Sequence, residues 1–137
     1  MLHPRVLADL LDDEVAVAVE RLGNRAAGLT HDGRHVRCPL RPAGDSRQWL
    51  SLDGMRYDGE PFRVAVCGPD GTPLPAEAWP AGLVHSVHPV IGKPFACIRG
   101  TWEYYLHPTH HQERWDVHRS RLRLADLLDH LLRKAGQ

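Results

Sequence analysis

Four Asp-Gly pairs, at Asp32-Gly33, Asp53-Gly54, Asp58-Gly59 and Asp70-Gly71, cut the middle of the chain into short lengths. Asp-Gly is a strong turn signal, because glycine accepts positive φ and the Asp side chain bonds its own backbone. The lengths between the pairs read as strands. "HDGRHVRCPL" turns at Asp32-Gly33 and enters a short extended run, and "QWLSLDGMRYDGEPFRVAVCGPDG" holds two or three strands. Phe62, Val64 and Val66 alternate with Arg63, Ala65 and Cys67, the period of an antiparallel strand with one solvated face. "PDGTPLPAEAWPAG" carries four prolines and reads as a loop wrapped over the body. In "HSVHPVIGKPFACI", apolar pieces are broken by Pro89 and Pro94.

Both ends are helical. Pro4 suits a first turn, Leu7, Leu10, Leu11, Val15, Ala18, Val19 and Leu22 share one face, and Gly23-Asn24 ends the helix. The last helix has an apolar stripe of Leu124, Leu127, Leu128, Leu131 and Leu132. Arg123, Asp126, Asp129 and Arg133 take its wet face, Asp129 to Arg133 is an i,i+4 pair, and Gly136 is a stop. The order of helix, antiparallel meander, irregular Cys/His segment and helix predicts an α+β fold in one domain over residues 1–137.

Lys plus Arg and Asp plus Glu each total 17, so no bulk field draws nucleic acid or an acidic membrane. Neither a transmembrane span nor a signal peptide is evident, which makes the cytoplasm the expected location. Three widely spaced cysteines, Cys38, Cys67 and Cys97, form no disulfide framework, and with no CxxC pair there is no zinc finger or ribbon.

Chemistry concentrates in "CIRGTWEYYLHPTHHQERW". Cys97, Glu103, His107 and His110 have the pattern C-x5-E-x3-H-x2-H, and all four are legitimate zinc ligands. A deprotonated Cys and Glu with two neutral His would neutralise a divalent ion, so the site can be partly buried. An extended chain would hold Cys97 about 20 Å from Glu103, so the backbone must turn, and a hairpin at Gly100 is expected. Pro108 biases His107 toward an extended conformation, after which "HPTH" can turn to aim His107 and His110 at one point. His111 competes for the fourth position. The expected cofactor is one Zn2+ per chain.

Two resemblances follow. His88-Pro89, Gly92, Cys97, Trp115 and the leucine helix occur in the order seen in a ubiquitin-conjugating (UBC-like) domain, and the N-terminal helix and meander suit that fold. The Cys97, Glu103, His107, His110 set resembles a bacterial predicted metal-binding family known as CEHH. That family occurs beside ubiquitin-like modifiers, activating enzymes and JAB-type peptidases. Together these imply a UBC-like metal-binding domain of a bacterial ubiquitin-like modification system, with a ubiquitin-like modifier or an activating-enzyme-type protein as partner. The UBC-like resemblance also implies an alternative, a conjugating enzyme carrying a modifier as a thioester on Cys97. The two readings compete for one sulfur.

Residue chemistry leaves further options. A His can activate a Cys nucleophile, so His107 or His110 can serve Cys97. Glu103 can be the general base of a zinc hydrolase with water at the fourth position. His85 and His88 read as loop surface, and His118, Arg119 and Arg121 as a solvated helix start. Trp102, Tyr104 and Tyr105 read as strand aromatics, with Trp102 and Tyr104 on one face. Cys38 and Cys67 read as small buried residues.

Overall fold

The computed structural model describes residues 1–42 and 47–137. Helix α1 (Pro4–Leu22) begins with the His3 ring accepting the Arg5 N–H at 3.1 Å, and ends at Gly23 with φ 54°. Leu7, Leu11, Ala18 and Leu22 are buried as the stripe requires. The centre of that stripe is Glu14, and Val19, expected inside, is 47% exposed.

Strands β1 (Thr30–His31), β2 (His35–Leu40), β3 (Gln48–Asp53) and β4 (Arg63–Cys67) form an antiparallel sheet in chain order, the expected meander. The pairings Val36↔Leu52 and Leu52↔Val64, with Cys38↔Leu50 and Leu50↔Val66, align buried side chains across it. The opposite face is not uniformly wet: Arg63 is exposed, Ala65 is half-buried and Cys67 is buried. Cys38 and Cys67 are buried free thiols, as expected.

The crossing segment holds a two-stranded ribbon, β5 (Ser86–Val87) with β6 (Pro94–Phe95), then the short helices α2 (Trp102–Leu106) and α3 (Trp115–His118). Helix α4 (Leu124–Lys134) buries Leu124, Leu127, Leu128, Leu131 and Leu132 and packs against α1. Together with the inner sheet face they make a single apolar cluster. The α+β class is therefore as read from the sequence. Among the described residues no helix is long and apolar enough to cross a membrane.

Two local expectations are corrected. Arg123 is not on the wet face of α4. Its guanidinium donates to Glu14 Oε2 at 2.6 Å and to Asp58 Oδ2 at 3.0 Å, while the Leu124 N–H donates to Glu14 Oε1 at 3.0 Å. A carboxylate from α1 thus satisfies an orphan donor at the start of α4, where it also meets the positive end of the helix dipole. Asp129 does pair with Arg133 at 3.2 Å. The second correction concerns residues Trp102–Leu106, which are helical rather than extended. Gly100, at φ 105°, completes a turn in which the Thr101 N–H donates to Ile98 O at 3.1 Å. Thr101 then caps α2 by accepting the Tyr104 N–H at 3.2 Å, a capping signal that overrides the strand preference of Trp and Tyr.

Candidate functional site

The turn at Gly100 does reverse the chain, but a helix follows it instead of a hairpin partner. The reversal brings Cys97 against a different part of the segment. Its Sγ lies 3.6 Å from His110 Nε2. His110 sits at the end of the 3-10 turn Pro108–His110, and its N–H donates to His107 O at 2.9 Å. His107 takes φ −68° and ψ 131°, the extended geometry that Pro108 imposes. The Tyr104 ring stacks on His110 with centroids 3.8 Å apart and planes 15° apart.

The four expected zinc ligands behave differently from one another. Cys97 and His110 are in contact. His107 lies next to His110, with ring centroids 5.7 Å apart, but its Nδ1 accepts the Thr109 N–H at 3.2 Å. A neutral imidazole that accepts at Nδ1 carries its proton on Nε2, which leaves no free lone pair for a metal. Partial burial, then His88, His110 and His85 around it, hold the His107 pKa below its ordinary value.

Glu103 serves the sheet edge. Its Oε1 accepts the Val64 N–H at 2.7 Å, and the Trp102 N–H donates to Phe62 O at 2.8 Å, so residues 101–103 close the outer edge of β4. Glu103 Oε2 is buried and has no hydrogen-bond partner among the described residues. Burial pushes this carboxyl up to about 7, against the opposing Val64 hydrogen bond and Arg63 charge. Among the described residues, no three His, Cys, Asp or Glu side chains gather as metal ligands would. His111 Nδ1 lies 2.9 Å from Pro108 O on the exposed side of the turn.

Glu113 and His88 acquire roles that the sequence did not suggest. Glu113 Oε2 lies 3.1 Å from His110 Nδ1 and accepts the Tyr104 O–H at 2.5 Å. Its Oε1 accepts from Arg99 Nε at 2.9 Å. The Tyr104 hydrogen bond and then the Arg99 charge hold the Glu113 pKa below its usual value. The i,i+3 spacing of His110 and Glu113 was the available signal. His88, read as loop surface, is fully buried. Its Nε2 donates to Glu103 O at 2.9 Å and its Nδ1 accepts the Val90 N–H at 3.1 Å, so it is a neutral imidazole tying the ribbon to α2. The other aromatics pack locally: Tyr105 O–H meets His118 Nδ1 at 2.7 Å, and Arg63 lies 3.9 Å over the Trp102 ring.

Cys97 is half-buried and borders a groove of about 90 Å³ with Leu83, Val84, His85, Ile98 and Lys134. Gly82, which also borders the groove, packs on the end of α4, where a Cβ would sit 2.5 Å from Lys134 O. Burial, then the Glu113 charge, push the Cys97 thiol pKa up. Burial therefore favours the thiol over a standing thiolate at Cys97, and a thiol facing an imidazole nitrogen is an arrangement suited to proton transfer during attack. A larger cavity of about 300 Å³, bordered by Met1, Tyr57, Asp58 and Arg119, contains neither Cys97 nor His110. No protein-family model and no curated protein sequence matches this chain.

Proposed function

We propose that this chain is a UBC-like component of a bacterial ubiquitin-like modification system in which Cys97 carries the modifier as a thioester and His110 is its base. The observation that carries this reading is the 3.6 Å approach of Cys97 Sγ to His110 Nε2. Support for the pathway comes from the ordered resemblance: the N-terminal helix, the four-stranded meander, His88-Pro89, Gly92, Cys97, Trp115 and the C-terminal helix. In the step proposed, the Cys97 sulfur attacks the carbonyl carbon of an incoming thioester and its proton passes to His110 Nε2. The carbon–sulfur bond to the donor breaks, and the departing thiolate recovers the proton from His110. One thioester replaces another, so no oxidant or reductant is needed.

The test uses a ubiquitin-like modifier loaded on its activating enzyme. An adduct on this chain that reductant cleaves, and that Cys97→Ala abolishes, is the expected result. Failure of Cys97 to take up acyl groups, even from a small aryl thioester, sinks the reading.

A second reading keeps the sulfur for zinc, with one ion held by Cys97, Glu103, His107 and His110. It is supported by the Cys97–His110 contact and by the unpartnered, buried Glu103 Oε2. It requires His107 to give up the Thr109 N–H, so that either Nδ1 itself or, after a proton shift, Nε2 can bind the ion while the other nitrogen donates. Metal analysis of protein made without a His-tag separates the readings. About one zinc per chain, lost together with thermal stability in His107→Ala, favours the ion. Folded, metal-free protein favours the thiol.

A further inference from the structure

Resting on the Cys97–His110 reading, we infer that Glu113 is a positioning residue that fixes His110 with its proton on Nδ1 and its Nε2 lone pair toward Cys97. The contact pattern is the argument. Glu113 Oε2 lies 3.1 Å from His110 Nδ1, and a neutral imidazole carries a proton on one ring nitrogen and a lone pair on the other. A lone pair on Nδ1 would face a carboxylate oxygen and be repelled; a proton there is attracted. A proton therefore sits on Nδ1, and Nε2 is the ring nitrogen that faces the sulfur 3.6 Å away, with its lone pair toward it whenever the ring carries a single proton.

Glu113 is itself held from two sides. The Arg99 guanidinium donates to Oε1 at 2.9 Å from Nε and sits 2.8 Å away through Nη2. The Tyr104 O–H donates to Oε2 at 2.5 Å. Arg99 comes from the turn directly after Cys97, Tyr104 from α2, and Glu113 from the loop after the 3-10 turn. Three separate pieces of the crossing segment thus close around one imidazole. Tyr104 acts twice, because its ring also stacks on the His110 ring and blocks rotation out of line. The Cys97 turn and the His110 turn are therefore locked in register through Glu113, and sulfur and nitrogen stay in contact.

The experiment combines ring-nitrogen NMR on 15N-histidine-labelled protein with acyl transfer from a small aryl thioester to Cys97. Wild type is expected to show His110 as the Nδ1–H tautomer. Glu113→Gln can donate as well as accept, and is expected to mix or reverse that tautomer and slow acyl capture by up to about 100-fold, the low end of what a positioned base contributes. Glu113→Asp is expected to restore part of the rate, and Tyr104→Phe to keep the ring stack while weakening the tautomer preference. A wild-type His110 found protonated on Nε2 overturns the inference, and this measurement needs no variant to fold. A Glu113→Gln protein with unchanged tautomer and rate also overturns it. The intended tautomer with no acyl capture by wild-type Cys97 keeps the positioning role and overturns the acyl-transfer reading instead.

Discussion

Glu14 and Glu103 are both buried glutamates that accept a backbone N–H, yet their surroundings are opposite. Glu14 has both oxygens engaged: one takes the Leu124 N–H, the other the Arg123 guanidinium at 2.6 Å. Glu103 has one oxygen on the Val64 N–H and the other buried with no partner among the described residues. The first joins α1 to α4 and is a completed ion pair. The second seals the edge of β4 and remains a half-satisfied acid, pushed up to about 7. Burial alone therefore says little about a carboxyl group; the count of donors around it decides whether it is a fastener or a titrating group.

The comparison is broken most severely at the first site. Glu14→Ala leaves Arg123 short of a partner and the Leu124 N–H without an acceptor, and should cost about 3–4 kcal/mol. Urea unfolding at neutral pH measures this; a loss under about 1 kcal/mol would mean that water replaces the carboxylate freely. The second site responds to pH instead. The Glu103 carboxyl has an ordinary value of 4.5 and stands near 7 in the fold, so between those values the folded chain binds more protons than the unfolded one. Stability should therefore fall as pH rises from about 4.5 through about 7 and level off above it. The expected fall is about 2 kcal/mol, allowing for relaxation and water entry. Glu103→Gln keeps an acceptor for Val64 and removes the slope, so the wild-type-minus-variant difference is the measurement. If zinc uses Glu103, the carboxylate is held ionised and that slope disappears until a chelator is added.

Position explains which of these features the sequence carried. The apolar stripes of α1 and α4, the meander and the reversal at Gly100 are local, written in periodicity and turn chemistry within a dozen residues. The role of Glu14 depends on Arg123 and Leu124, far along the chain, and nothing near Glu14 announces them. Spacing from Cys97 and His107 is what makes Glu103 a candidate ligand. Its use at the β4 edge follows from Thr101 starting a helix, where the residue types of Trp102, Tyr104 and Tyr105 favour a strand. A polar residue beside Pro89 in a broken apolar stretch reads as surface, whereas the two ring nitrogens of His88 are matched to the buried Glu103 carbonyl and to the Val90 N–H. Cys97 and His110 were legible as a pair of chemistries but not as a contact, since that needs the turn and the helix together.

The turn itself is the next point of attack. Gly100 holds φ 105°, where a Cβ is strained whatever the space around it, although Leu122 and Leu127 stand no closer than 3.6 Å. Gly100→Ala should cost about 1–2 kcal/mol. It should also disturb the Glu103 seal and the Cys97–His110 contact while leaving the Glu14 joint intact. Hydrogen exchange tests this division: the Val64 N–H should lose protection and the Leu124 N–H should keep it. Equal loss at both amides would mean that the two regions unfold as one unit and that their contrast is only local chemistry.

The smallest effect tests the stated cause of the Glu103 shift. Burial raises the carboxyl, and the nearby charge of Arg63 lowers it as a lesser influence. Arg63 is exposed and its guanidinium lies over the Trp102 ring, so its field reaches Glu103 partly through solvent. Arg63→Met retains an apolar stem on Trp102 and removes the charge. The midpoint of the pH-dependent stability difference should then rise by only a few tenths of a unit, and added salt should produce a similar rise in wild type alone. A rise of more than about one unit would make Arg63 the effective partner of Glu103, much as Arg123 is of Glu14, and would erase the distinction between the two carboxyls.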